Sequence, residues 1–192
     1  MISEDSFSFT IGQLLSIHKN LFEGILSHPG DIRTYNFSKK EWVLNGDAVS
    51  YCDYRDLEMT LTYHFQQESK FSYKGLEMNE IIDNLSIFIS NLWQIHPFEE
   101  GNTRTTAVFL IKYLRMLGFD VTNDTFAKNA WYFRNSLVRA NYTNIPKGIF
   151  SDRSYLNKFL RNLLLNEKNI LQNRELHVTN KSTTSNQKKN KK

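Results

Sequence analysis

The chain has almost no sulfur chemistry. Cys52 is the only cysteine in 192 residues, so no intrachain disulfide can form. That excludes a covalently stapled scaffold and suits a reducing compartment, with the cytoplasm as the expected location. No apolar run is long enough to span a bilayer, so no membrane partner is expected. The start, Met1-Ile2-Ser3-Glu4-Asp5, has neither the basic nor the apolar region of a signal peptide. Internal repeats are absent. An excess of charge is also missing from most of the chain, despite a formal +4. Five lysines (181, 188, 189, 191 and 192) lie in residues 179–192, which contain no acid. Without them, 19 basic residues face 20 acidic ones, a net of −1. The body therefore has no broad surface for nucleic acid. The composition of 179–192 reads as a disordered basic tail.

What remains is one domain's worth of apolar and aromatic residues, with 14 phenylalanines. The chain is organised around His96-Pro97-Phe98-Glu99-Glu100-Gly101-Asn102-Thr103-Arg104. Before it, Ile81, Ile82, Leu85, Phe88, Ile89 and Leu92 recur at helical spacing over 79–95. After it, residues 103–117 are apolar almost all round, which predicts a buried central helix with Gly118 at its C-terminus. Pro97 disfavours helical backbone at His96, so the first helix ends there. The stretch is thus a short loop feeding the N-terminus of a core helix.

That placement carries chemistry. The first N–H groups of a helix lack internal partners and attract anions. Gly101 allows close backbone approach, and Asn102 has an amide to donate. Arg104 sits where a cation opposes the helix dipole, so a bound polyanion explains it better than helix stability does. Glu100 suits Mg²⁺, which commonly takes one or two carboxylates plus phosphate oxygens. His96 is the natural base near neutral pH. Taken alone, each residue has a blander explanation, and His18, His28, His64 and His177 are read as structural. For His96, Glu100 and Arg104 the shared spacing tips the reading towards a nucleotide-phosphate site with a base beside it.

Along the chain, Thr10 is expected to cap a helix running to about Leu26, with His18 on its apolar side. Residues 32–44 alternate around a turn at 38–41 and predict a small β-hairpin. Its exposed edge could dock an extended peptide. Ser50 with Asp53 marks a helix start ahead of Leu57, Leu61 and Phe65. Asn123 or Asp124 caps a helix over 125–142, and Asp152 caps a last long helix through Leu164. The fold class is all-α with one hairpin.

The central stretch resembles the signature of the Fic family, His-Pro-Phe-x-(Asp/Glu)-Gly-Asn-Gly-Arg-x-x-Arg. Ile17-His18-Lys19-Asn20-Leu21-Phe22 and Ile32-Arg33-Thr34 resemble segments that precede it. The resemblance covers roughly residues 10–165. It implies a Fic-type helical bundle over residues 1–178 with the hairpin as a flap over the active site. It implies a protein adenylyltransferase that uses ATP and Mg²⁺, with His96 as general base and Glu100 holding the metal. Gly101, Asn102, Thr103 and Arg104 would cradle the phosphates, with Phe98 pointing inward to lock the loop. Asn129 and Tyr132 are candidates for the base and ribose pocket, and Lys39, Lys40 and Trp42 for docking the target along the flap. The target would be a protein with an exposed Tyr, Thr or Ser hydroxyl, or the chain itself. Residues 167–178 stand where small members carry an inhibitory helix, with Glu175 as the candidate glutamate.

Two positions depart from the pattern. Thr103 replaces a glycine, where its hydroxyl would narrow the approach of the phosphate. Ala107 replaces the second arginine, which would leave more to Arg104. Two competing readings remain at this level: a phosphotransferase on the same scaffold, and a non-catalytic module that binds a nucleotide and a peptide. Oligomeric state and target identity are not written in the sequence.

Overall fold

The computed structural model describes residues 7–178. The basic tail and the N-terminal stretch lie outside the described residues. Seven α-helices follow in order: α1 (Ile11–Phe22), α2 (Leu57–Lys70), α3 (Met78–Ile95), α4 (Asn102–Met116), α5 (Asp124–Lys128), α6 (Ala130–Ala140) and α7 (Ser154–Leu165). Among the described residues no strand forms, and β pairing is limited to two isolated bridges, Lys40–Ala48 and Asn144–Ile149. No described helix is long and apolar enough to cross a membrane.

Local signals set most helix ends. The Thr10 hydroxyl accepts from the Gln13 N–H at 3.2 Å and starts α1. Glu77 and Glu80 form a reciprocal capping box on α3. Asp53 caps a short 3₁₀ turn (Tyr54–Asp56) that leads into α2. The structure alters three expectations. α1 ends at Phe22 rather than near Leu26, because Glu23 leaves helical backbone and Gly24 adopts φ +76°. The helix expected over 125–142 breaks at Asn129, whose backbone turns to φ −128°, ψ 28°.

The hairpin is the third difference. Its turn lies at 41–47, not 38–41. Glu41 N–H donates to the Asp47 carbonyl, and a 3₁₀ turn (Trp42–Leu44) fills the bend. Val43 and Leu44 are buried there, so core packing outcompetes a strand ladder. The flap is thus an extended segment closed by one bridge.

α3 holds the centre, packing on α2, α4, α6 and α7, while α4 packs on α1 and α3. Both are largely buried, so the expected central helix is one of two. Phe65, Phe88, Phe109 and Tyr113 form one aromatic cluster, with Phe65 stacked on Phe109 at 5.3 Å. Phe126, Phe133 and Phe159 form another between α5, α6 and α7. This core fixes the facing ends of α3 and α4, and the motif loop joins them.

Candidate functional site

α3 stops at His96, whose backbone sits in the left-handed region at φ 53°, ψ 59°. That conformation costs a non-glycine residue about 1–2 kcal/mol. Arg33 holds it. Its Nε–H donates to the His96 carbonyl at 2.8 Å, and its backbone N–H donates to the Pro97 carbonyl at 2.9 Å. The same buried guanidinium also donates to the carbonyls of Tyr35 and Cys52. One side chain therefore ties the motif loop to the flap and to the lead into α2.

The loop is locked from within. Phe98 points inward and stacks on His18 at 3.8 Å. The Asn102 side chain closes the turn and lines the cavity beside His96. Its carboxamide accepts from the Phe98 N–H at 3.0 Å and donates to the Phe98 carbonyl at 2.6 Å. Gly101 is required by packing as well as by φ +78°: a Cβ there would stand 2.4 Å from the Phe22 ring. His18 is structural, as expected. Its Nδ1 accepts from the Gly30 N–H, so Nε2–H donates to the Glu100 carbonyl.

The His96 ring is 4% exposed, stacked on Tyr51 at 3.8 Å and edge-on to Trp93. Its Nδ1 lies 3.2 Å from the Trp93 carbonyl and donates to it. That bond fixes the tautomer and leaves Nε2 as the acceptor. Burial is the main reason its pKa is pushed down to about 3, with Lys39, Arg33 and Arg134 adding positive charge nearby. The ring is therefore neutral at pH 7.

A cavity of about 380 Å³ opens beside this ring. The motif supplies one wall: His96, Glu100 and residues 101–104. Lys39 of the flap forms a second, and Ala130, Trp131 and Arg134 of α6 form a third. Lys39 pairs with the Glu100 carboxylate at 3.0 Å. The Arg104 guanidinium lies over the Phe22 ring at 4.4 Å. Three cations, one carboxylate and the N-terminus of α4 thus surround the space, which favours a polyanion.

Thr103 lines the cavity with its hydroxyl turned to Trp93. The hydroxyl accepts from the Trp93 indole N–H at 3.0 Å and holds that ring beside His96. Two nucleotide candidates are not brought into the site. Asn129 ends α5, its side chain donating to the Thr125 carbonyl at 3.0 Å. Tyr132 is buried in the core, while Ala130, Trp131 and Arg134 of the same helix line the cavity. Lys40 engages Ala48 through its backbone, and Trp42 meets the His177 ring at 3.8 Å. Glu175 lies in a 3₁₀ turn (Asn173–Leu176), 3.9 Å from Lys158, and does not line the cavity. Its segment instead fastens the flap: Val178 N–H donates to the Val43 carbonyl.

Among the described residues Glu100 is the one carboxylate lining this cavity. Among the described residues no group of three or more His, Cys, Asp or Glu side chains converges on a metal position. Its side chain is 65% exposed at the cavity wall. A carboxylate so placed fits Mg²⁺ completed by phosphate and water oxygens.

Comparison with known proteins bears on the family and the fold. A family model described as the Fic/DOC family matches residues 8–114, more than half of the chain. The protein adenylyltransferase VbhT of Bartonella schoenbuchensis is 27% identical over an alignment of 151 residues that covers 72% of this chain. The match spans only 30% of VbhT's length. The Fic domain of Bep8 from Bartonella sp. 1-1C superposes with a TM-score of 0.61 at 19% identity, covering 82% of this chain and 74% of that one. BepC of Bartonella tribocorum, solved with bound AMPPNP, also gives 0.61 at 18% identity, covering 81% and 74%. At these identities the structural likeness concerns the fold.

Proposed function

The chain belongs to the Fic/DOC family, and from that premise we propose that it transfers AMP from ATP to a Tyr, Thr or Ser hydroxyl of a target protein or of itself. The observation that carries this reading is one shared cavity. It holds a buried imidazole with Nε2 free to accept, a carboxylate on its rim, and three cations. The name of VbhT and the nucleotide analogue bound to BepC point the same way.

In this reading the target hydroxyl oxygen attacks the α-phosphorus while its proton passes to His96 Nε2. An O–P bond forms, the bond to the bridging oxygen breaks, and pyrophosphate leaves with the electron pair. The Trp93 carbonyl stabilises the imidazolium through Nδ1–H. A pKa near 3 describes the resting ring. A triphosphate offsets the neighbouring cations and raises its proton affinity at the moment of reaction. Backbone N–H groups at the start of α4 and the Arg104 side chain receive phosphate oxygens. Glu100 would hold Mg²⁺, which would neutralise charge on the leaving pyrophosphate. The flap receives the target along residues 35–39, whose N–H groups make no main-chain hydrogen bond among the described residues.

Full-length protein incubated with Mg²⁺ and ATP labelled at either the α or the γ position tests this. Label from the α position, with an adenylyl mass on protein, is expected. Transfer from the γ position would make the protein a phosphotransferase. His96→Ala should abolish transfer while retaining ATP binding; transfer undiminished by that change would remove His96 as the base.

A further inference from the structure

Arg134 reaches the cavity from α6, which carries none of the motif. Its guanidinium makes a forked pair with Glu41: Nη1–H to Oε2 at 2.7 Å and Nη2–H to Oε1 at 3.0 Å. The two sides of this pair live in different environments. The Glu41 side chain is 1% exposed, while that of Arg134 is 26% exposed and lines the space beside His96. A guanidinium has five N–H groups. Glu41 engages two, so three remain for a second acceptor. The plane is also braced by Trp131, whose ring lies 5.2 Å from the guanidinium carbon.

The other cations are less well prepared. Lys39 is engaged with Glu100, and Arg104 lies on Phe22. Ala107 is buried and contributes no charge. Only Arg134 offers the cavity a planar fork fixed by a desolvated partner, the geometry suited to phosphate oxygens. Glu41 follows directly on the flap and begins the 3₁₀ turn, its carbonyl accepting from the Leu44 N–H. The Tyr51 hydroxyl is buried without a partner in this region, and Glu41 is the foremost charge acting on it. The acidic partner thus joins the flap, the His96 surroundings and α6.

We propose that Arg134 is a polyphosphate-binding residue, with Glu41 as its positioning residue, so that nucleotide binding and the setting of the flap are coupled through this ion pair. The proposal rests on the nucleotide reading above. A triphosphate accepts from the free N–H groups while Glu41 keeps its two, so the pair is shared rather than broken.

The test titrates ATP and AMP into the full-length protein. Arg134→Ala should weaken ATP about 10- to 100-fold, the range for losing a charge-assisted hydrogen bond, and AMP far less. Because Arg134→Ala leaves a buried carboxylate unpaired, a second variant, Glu41→Gln with Arg134→Met, removes both charges and should fold. It should lose ATP affinity to a similar degree. In addition, ATP should slow tryptic cleavage after Lys39 and Lys40 in the parent protein and not in the double variant. That protection would not move if the pair only braced the fold. Parent-like ATP affinity in the folded double variant overturns the proposal and leaves the transfer reading intact. Failure of the parent protein to bind ATP overturns both.

Discussion

Two walls of the same cavity are built on opposite plans. The motif loop, 96–104, is determined from inside: Phe98 on His18, Asn102 on both polar groups of Phe98, Gly101 against Phe22. The flap, 34–40, is tethered from outside itself. One bridge at its end, the Lys39–Glu100 pair, and side-chain bonds from Arg33 to Tyr35 and Asn36 and from Asn36 to Asp53 hold it. Its N–H groups at 35–39 make no main-chain hydrogen bond among the described residues. Tyr35 at its start is 47% exposed. The contrast matches two demands. Groups that stabilise developing charge must be fixed before the substrate arrives. A segment that receives another chain by main-chain pairing must leave its N–H groups open.

Arg33 is where the two plans meet, so it is the place to break the contrast. Its guanidinium is buried and donates to carbonyls on the loop, on the flap and at Cys52. Arg33→Met removes every donor and leaves these carbonyls unsatisfied. The expected loss is about 3–5 kcal/mol. A drop in Tm of roughly 10–15 °C follows for a domain of this size. Transfer should fall even below the new Tm, because the left-handed backbone at His96 loses its restraint. A variant that melts like the parent would mean that the loop needs no help from the flap side.

How much of this was legible beforehand follows the same line. The motif loop announced itself because its parts are adjacent in sequence and each has a restricted chemistry. The end of α3 at His96, the inward Phe98 and the structural role of His18 all follow from it. Signals that depend on distant partners did not show. Arg33 lies in a segment that resembles the family, yet its role is hidden until the His96 carbonyl, 63 residues away, is placed beside it. The Asn102 bonds to Phe98 did not show either, because the Phe98 backbone comes within reach only in the bent loop. Arg134 and Trp131 did not show because nothing local marks which side of α6 meets the motif loop. Asn129 and Tyr132 came from the resemblance alone, and neither the Asn129–Thr125 bond nor the burial of Tyr132 has a local signal. The hairpin was misplaced because alternation around residues 35–37 carried no information about Val43 and Leu44 entering the core.

A smaller effect separates the walls by pH. His18, His64 and His96 all have pKa values lowered mainly by burial, His96 to about 3. In the unfolded chain each returns towards its usual value near 6.5. Between these limits the unfolded state binds more protons, so stability falls as pH drops below about 6.5. Above pH 7 none of the three contributes a slope. Thermal melts from pH 7.5 to 4.5 should show a steady loss. His96→Asn should make that loss shallower, because it removes one of the three groups. An unchanged slope would mean that His96 is far less desolvated than its 4% exposure implies.

The smallest effect expected is at Glu175, and it bears on how the flap is controlled. A glutamate that restrained the site would have to reach the cations of the cavity. Here its carboxylate faces Lys158 on α7 at 3.9 Å, while its carbonyl takes the Tyr155 hydroxyl at 2.8 Å. What the segment gives the flap comes from its neighbours: Leu176 in the core, His177 on Trp42, and Val178 bonded to Val43 and Asn45. Glu175→Gly should therefore shift stability by no more than about 0.5 kcal/mol, as for an exposed pair. ATP affinity and self-modification should stay as in the parent. A rise in both would show that the segment swings over the cavity in solution, and that its docking against the flap is only one of its positions.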